Sequence, residues 1–129
     1  MSDDHIIDPG GRIHDRFHFS QAVRSGGLLL CSGQIGSDEH GAIPDEFSAE
    51  AGQAWAAVGR VLAAAGLEYG DIVEYTSYHV GLQETLPDFM ATRDAVLDAP
   101  WPAWTAIGVT ELAIPGARVE IRVTARLRD

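Results

Sequence analysis

From Arg118 to Leu127 the chain alternates without a break: Val119, Ile121, Val123, Ala125 and Leu127 fall on one side, and Arg118, Glu120, Arg122, Thr124 and Arg126 on the other. A period of two belongs to a pleated strand, whose successive side chains leave on opposite faces. This segment therefore lies in a sheet with one apolar and one polar face, and the apolar face needs a covering layer. Spacing elsewhere supplies that layer. Ala51, Ala54, Trp55, Val58, Val61, Leu62 and Ala65 recur at helical intervals, behind Ser48 as N-cap and Glu50 in the first turn. Gly66 stands where a helix ends in left-handed backbone, and Leu67 is the apolar residue expected after it. The pattern predicts a helix over about 48–65.

The remaining elements follow from the same signals. Phe17 to Val23 alternate, Ser25-Gly26-Gly27 marks a tight turn, and Leu28 to Ser32 reads as a strand apolar on both faces, so the two runs predict a hairpin. Residues 36–47 read as loop, and Ile72 to Val80 as a strand rich in β-formers. Thr85 with Asp88 resembles a capping box, with Pro87 in the first turn. Leu86, Phe89, Met90, Arg93, Val96 and Leu97 then carry a second helix to about Asp98, which Pro100 and Pro102 end. Trp104 to Val109 is a further strand, and Ile114-Pro115-Gly116 turns the chain into the last one. Residues 1–15 are polar, contain Pro9, Gly10 and Gly11, and read as a loosely held arm; residues 16–129 form one domain. The order β-β-α-β-α-β-β describes an α+β fold with two helices on one face of the sheet. The other face meets solvent or another subunit, and the doubly apolar Leu28–Cys31 run favours an oligomer interface.

Bulk composition narrows the function. The 129 residues carry 19 acidic and 9 basic side chains, a formal net charge of −10, which repels phosphate backbones and disfavours nucleic acid as a general partner. Cys31 is the one cysteine, so neither an intrachain disulfide nor a cysteine-based zinc site forms, as suits a reducing cytoplasm. The opening MSDDHIID does not read as a signal peptide, and no stretch approaches the roughly 20 apolar residues of a membrane span.

Each residue type that could carry chemistry also has a plain structural role. His14 and His18 have helical metal-ligand spacing, but in a strand four residues span about 13 Å, too far for one ion. His79 reads as a packed histidine and Cys31 as a buried, inert thiol. No phosphate-binding lysine loop, HExxH pair, GxSxG elbow or GxGxxG loop occurs. Arg118, Arg122, Arg126 and Arg128 crowd the C-terminus and have two readings: a solvated strand face paired with acids, or a pocket for a carboxylate or other anion.

Five segments in one order carry a resemblance: Phe19-Ser20-Gln21-Ala22; Cys31-Ser32-Gly33-Gln34-Ile35-Gly36; Ala64-Ala65-Gly66-Leu67 with Gly70-Asp71-Ile72-Val73; Trp101-Pro102-Ala103-Trp104-Thr105-Ala106-Ile107-Gly108-Val109; and Pro115-Gly116-Ala117-Arg118-Val119-Glu120-Ile121. Over about residues 17–127 the chain resembles the YjgF/RidA family, also called RutC or L-PSP. The resemblance implies a chorismate-mutase-like α+β fold with a mixed sheet. It also implies a homotrimer with clefts between subunits, and cofactor-free hydrolysis of reactive enamines and imines to ketoacids and ammonia. In that family an arginine after a Pro-Ala pair clamps the substrate carboxylate, a glutamate on the last strand orients water, and a tyrosine and the SGQ turn complete the site.

The match at the site is partial. Glu120 falls on the water-positioning glutamate, and Ser32 and Gly33 on the turn that meets the ligand. Phe19 replaces the tyrosine, and Trp104 replaces the clamping arginine, exchanging a bidentate charged fork for one N–H and a flat apolar face. The Trp104-Thr105-Ala106 run and the Arg24-Ser25-Gly26 turn look most like the YjgH-type subgroup, which lacks that arginine. The expected site is therefore Glu120 as the catalytic group, with Trp104, Phe19, Ser32, Gly33, Ala106 and Arg122 around a small-molecule ligand and no metal. Three functions stay open: a ligand-binding cleft with weak or absent 2-imino acid deaminase activity, a true deaminase in which Arg122 or Arg24 replaces the clamp, and a non-enzymatic binding or holdase-like module. Charge and the want of a histidine pair argue against an endoribonuclease.

Overall fold

The alternating C-terminal segment is the central strand of a mixed sheet in the computed structural model, which describes residues 4–128. In chain order the elements are β1 (His5–Ile6), α1 (Arg12–Phe17), β2 (Ala22–Ser25), β3 (Leu28–Cys31), β4 (Gln34–Ile35), α2 (Phe47–Ala64), β5 (Ile72–Val80), α3 (Leu82–Asp94), β6 (Ala103–Val109) and β7 (Val119–Arg126). The sheet order is β1-β2-β3-β7-β5-β6, and β4 also pairs with β7. Among the described residues only β5 and β6 run parallel, and α3 makes the crossover that parallel neighbours require. The α+β class read from the sequence holds.

Strand β7 sorts its side chains as its alternation demands. Val119, Ile121, Val123 and Ala125 are at most 1 % exposed beneath α2 and α3. Helix α2 brings Ala54, Trp55, Val58 and Leu62, all within 1 % of full burial, to that layer. The Trp55 ring meets Tyr75 at 5.2 Å and Phe89 at 6.0 Å. Each fully buried aliphatic or Phe side chain in such a layer stabilises the fold by about 1.5–3 kcal/mol. The end of α2 is a Schellman closure: the Leu67 N–H donates to Leu62 O at 2.9 Å and the Gly66 N–H to Ala63 O at 2.9 Å, with Gly66 at φ 76°. The β2–β3 hairpin turns on Gly26 and Gly27, both at positive φ, as a two-residue turn requires.

Three expectations are corrected. The polar N-terminal segment is not a loose arm throughout: His5 and Ile6 pair with Val23 and Ala22, and Asp8 accepts from the Ile13 and His14 N–H groups at the start of α1. The strand expected over Phe17–Val23 is instead the end of α1, a left-handed His18 (φ 61°), and β2 from Ala22. Phe17 and Phe19 imitate a buried strand face, yet they are 61 % and 45 % exposed. Helix α3 spans Leu82–Asp94 rather than running on to about Asp98: Gly81 in left-handed backbone turns the chain from β5 straight into it, and the N–H groups of Ala95, Val96 and Leu97 close its far end onto the Thr92 and Arg93 carbonyls. Thr85 therefore caps nothing; its hydroxyl donates to Leu82 O inside the helix.

One tie joins the start of α2 to the start of β7. Glu50 is completely buried, and its carboxylate accepts from the Arg118 backbone N–H at 2.6 Å and from Arg118 Nε at 2.7 Å. The Arg118 Nη2 also donates to the carbonyls of Pro44 and Asp45. A buried carboxylate survives only with such partners.

Candidate functional site

Glu120 leaves β7 on the side away from the helices, opposite Tyr78 on β5 and Ile35 on β4. Gly33 lies beside it, and a Cβ there would overlap the Glu120 Oε2 atom. The glycine is thus what makes room for the carboxylate. The neighbouring turn is held rigidly. The Ser32 hydroxyl donates to Ser20 O at 2.7 Å, the Ser32 N–H to Gln21 O at 2.8 Å, and Gln34 Nε2 to Gln21 Oε1 at 2.8 Å. Phe19, next to Ser20, keeps much of its ring exposed, and Arg122 is exposed two residues along β7 on the Glu120 side. Burial raises the Glu120 carboxyl above the usual carboxylate range, and among the described residues no donor bonds to it. Glu120, Gly33, Ser32, Phe19 and Arg122 are therefore on or next to one face.

Trp104 and Ala106 are not. Tyr75 and Ser77 on β5 pair with Val123 and Ile121 of β7 across one side and with Trp104 and Ala106 of β6 across the other. All of these face the helices, so the sheet itself separates Trp104 from Glu120 within one chain. The indole stacks on Tyr75 at 5.9 Å and on Phe89 at 5.8 Å. Its Nε1–H donates to Ser77 Oγ at 2.9 Å. Ser77 Oγ stands 2.8 Å from His79 Nε2, and His79 Nδ1 2.9 Å from Thr85 Oγ1, which donates to Leu82 O. One proton arrangement serves the whole chain: indole to serine, serine to imidazole Nε2, imidazole Nδ1–H to threonine, threonine to carbonyl. It requires a neutral His79, and burial lowers the pKa of that imidazole accordingly.

Other sequence candidates resolve into structural roles. His79 is fully buried and hydrogen-bonded on both nitrogens, so it is no general base. Burial pushes the Cys31 thiol up to about 11, which leaves it protonated and unreactive. The arginine cluster disperses: Arg118 turns to Glu50, and Arg128 bonds Glu68 and Asp71. Arg126 and Arg122 stay exposed. Arg24, on β2, pairs in register with Leu29 of β3, and β2 lies four strands from β6. No group of metal-ligating side chains exists among the described residues, and His14 is bonded instead to Asp15.

A residue that the sequence reading passed over lies against the Trp104 ring. The Arg93 guanidinium carbon sits 5.0 Å from the centroid of Trp104 and 5.7 Å from that of Trp101. The available signal was an arginine within the apolar stripe of α3, between Met90 and Val96.

Comparison with known proteins agrees with this architecture. The family model described as endoribonuclease L-PSP matches residues 11–127. The RutC family protein YjgH of Escherichia coli K12 is 39 % identical over 126 residues, covering 95 % of each chain. A 2-iminobutanoate/2-iminopropanoate deaminase of Salmonella typhimurium is 32 % identical over 111 residues, covering 83 % of this chain and 85 % of its own. A solved structure of protein YjgH superposes with a TM-score of 0.85 at 35 % identity, over 98 % of both chains. No helix among the described residues is long and apolar enough to cross a membrane. With the segments around Gly33, Gly66, Trp104 and Glu120 in their places in the fold, the chain belongs to the L-PSP family, the YjgF/RidA/RutC proteins, and resembles YjgH within it.

Proposed function

We propose that residues 16–129 act as one RidA-like domain, with residues 1–15 as an accessory arm, in a cytoplasmic homotrimer that binds a small organic molecule in clefts between subunits. Glu120 carries this reading: a half-buried carboxylate with no donor against it among the described residues, seated in room that a glycine at position 33 leaves. Folding alone gains nothing from such a group. Because Trp104 and Ala106 face away from Glu120, a cleft lined by both sets draws them from two copies of the chain. Ser32, Gly33, Phe19 and Arg122 accompany Glu120, and the Trp104 ring, packed on Tyr75, Phe89 and Arg93, offers the ligand the part that those contacts leave accessible.

The chemistry that fits is hydrolysis of an imine C=N bond, including that of the imine to which an enamine tautomerises. The Glu120 carboxylate takes a proton from water as the water oxygen adds to carbon, and returns it to the nitrogen to give a carbinolamine. Glu120 then takes the hydroxyl proton and passes it to the nitrogen, so that the C–N bond breaks, ammonia leaves and the carbonyl forms (C=NH + H2O → C=O + NH3). A raised carboxyl pKa suits this proton transfer near neutral pH. Relatives named as 2-iminobutanoate/2-iminopropanoate deaminases support the reaction class. The exchange of the clamping arginine for Trp104 weakens it for their substrates. Two charged hydrogen bonds at about 1.5–3 kcal/mol each correspond to a loss of roughly 10²- to 10⁴-fold.

The test is an amino-acid oxidase that generates 2-imino acids, coupled to detection of ammonia release. The expected result is little or no acceleration over buffer. Fast hydrolysis abolished by Glu120→Ala establishes the second reading, a full deaminase, which the position of Arg122 beside Glu120 favours over Arg24. Ligand binding without any hydrolysis assigns the cleft to a non-enzymatic module. Ribonuclease activity is disfavoured by the net charge of −10.

A further inference from the structure

We propose that Arg93 is the anion-recognising group beside Trp104, and that the ligand it selects is a flat aromatic or conjugated carboxylate. The proposal rests on the reading that Trp104 lines the ligand cleft, and it names the chemistry of that half of the cleft.

Tyr75, Arg93, Trp101, Pro102 and Trp104 line a hollow of about 250 Å³ at the edge of the sheet, where the last turn of α3 meets β6. Drug-sized sites run to about 300–1,000 Å³, so this one has room for a single small ring system. Its walls are three aromatic rings and a proline, and its one charge is the Arg93 guanidinium. That group lies over both indoles, within reach of a cation–π attraction to each. The Arg93 Nε–H donates to Asp94 Oδ1 at 2.9 Å in an ion pair. A guanidinium has five N–H donors, so this partner leaves the terminal nitrogens as a fork for a carboxylate. Trp101 is 56 % exposed, a large apolar surface that a bound ring would cover. The indole at position 104 therefore does not abolish anion recognition. It moves the cation from the strand to the neighbouring helix and puts aromatic walls around it, which favours flat acids over short aliphatic ones.

A plain packing role for Arg93 predicts lost stability but no preference for charge in the ligand. Benzoate and its neutral isostere benzamide separate the two. Each is titrated into the full-length protein while the indole N–H resonances of Trp101 and Trp104 are followed by ¹H–¹⁵N NMR. Benzoate should shift both resonances and bind about tenfold or more tightly than benzamide. Arg93→Gln should bring the two affinities together, and Arg93→Lys should restore part of the difference. Equal affinity of the wild-type protein for both probes at these indoles overturns the role of Arg93 while leaving the Trp104 cleft in place. Failure of both probes to shift the Trp104 resonance removes the cleft as well. The wild-type comparison decides the matter even where a variant does not fold.

Discussion

On the helix side of the sheet, Ser77, His79 and Glu50 are fully buried and each is hydrogen-bonded, whereas on the opposite side Glu120 is half-buried and meets no donor among the described residues. The same contrast holds for apolar groups. Leu29 and Ile121 are completely covered, while Leu30 and Ile107, on the Glu120 side, are 37 % and 40 % exposed. A buried polar group with partners fixes how elements fit together. A carboxylate without them, among uncovered apolar side chains, reduces stability and belongs to what the surface does rather than to folding.

The largest effect that sharpens this contrast is at Glu50. Glu50→Ala strands Arg118 and two backbone N–H groups and should lower the unfolding free energy by about 3–5 kcal/mol in urea titration. Glu120→Ala should leave it unchanged or raise it, and equal losses at the two glutamates would erase the distinction between the faces. Next comes Ser77→Ala, which leaves the Trp104 N–H and His79 Nε2 without partners. With about 1–3 kcal/mol at the fully buried His79 and less at the half-buried Trp104, a loss of about 2–4 kcal/mol is expected.

Smaller, and opposite in sign on the two faces, is the dependence on pH. His79 has a lowered pKa when folded, so the unfolded chain binds its proton first. The stability linked to it is full above about pH 6.5 and is lost as pH falls from there through the folded value. Glu120 has a raised pKa, so its contribution is full below the ordinary carboxylate range and is lost as pH rises through the folded value. Unfolding curves between pH 4 and 8 should therefore change slope in Glu120→Gln at the acidic end of the range and in His79→Gln nearer neutrality. Smallest is Gly33→Ala. The atoms its Cβ meets are the mobile end of Glu120, so stability should change by less than about 1 kcal/mol. The displaced carboxyl should titrate closer to its ordinary value by ¹³C NMR.

What the sequence disclosed divides along the same physical line. The ends of α2, the hairpin at Gly26-Gly27 and the faces of β7 are local, and composition at neighbouring positions encodes them. The Phe17–Val23 run failed because alternation reports a strand only when one face is buried, and neither Phe17 nor Phe19 is. The Arg118 side chain left its expected face for a partner 68 residues away, a pairing that no local pattern contains. The resemblance names Glu120, Gly33 and Trp104 without saying how this chain places them on the sheet. That Trp104 and Glu120 sit on opposite faces depends on β6 joining β5 in parallel register, which is set by the crossover through α3. Arg93 was read as one more member of a helical stripe, although a guanidinium there needs aromatic company.

The placement of Trp104 and Glu120 on opposite sides of one sheet has a genetic consequence. If each crevice borrows its indole from one copy and its carboxylate from the next, the two defects are separable. Chains carrying W104A and chains carrying E120A, each inert alone, would complement one another when refolded as a mixture. Wherever an intact indole met an intact carboxylate across a boundary, a whole site would reappear.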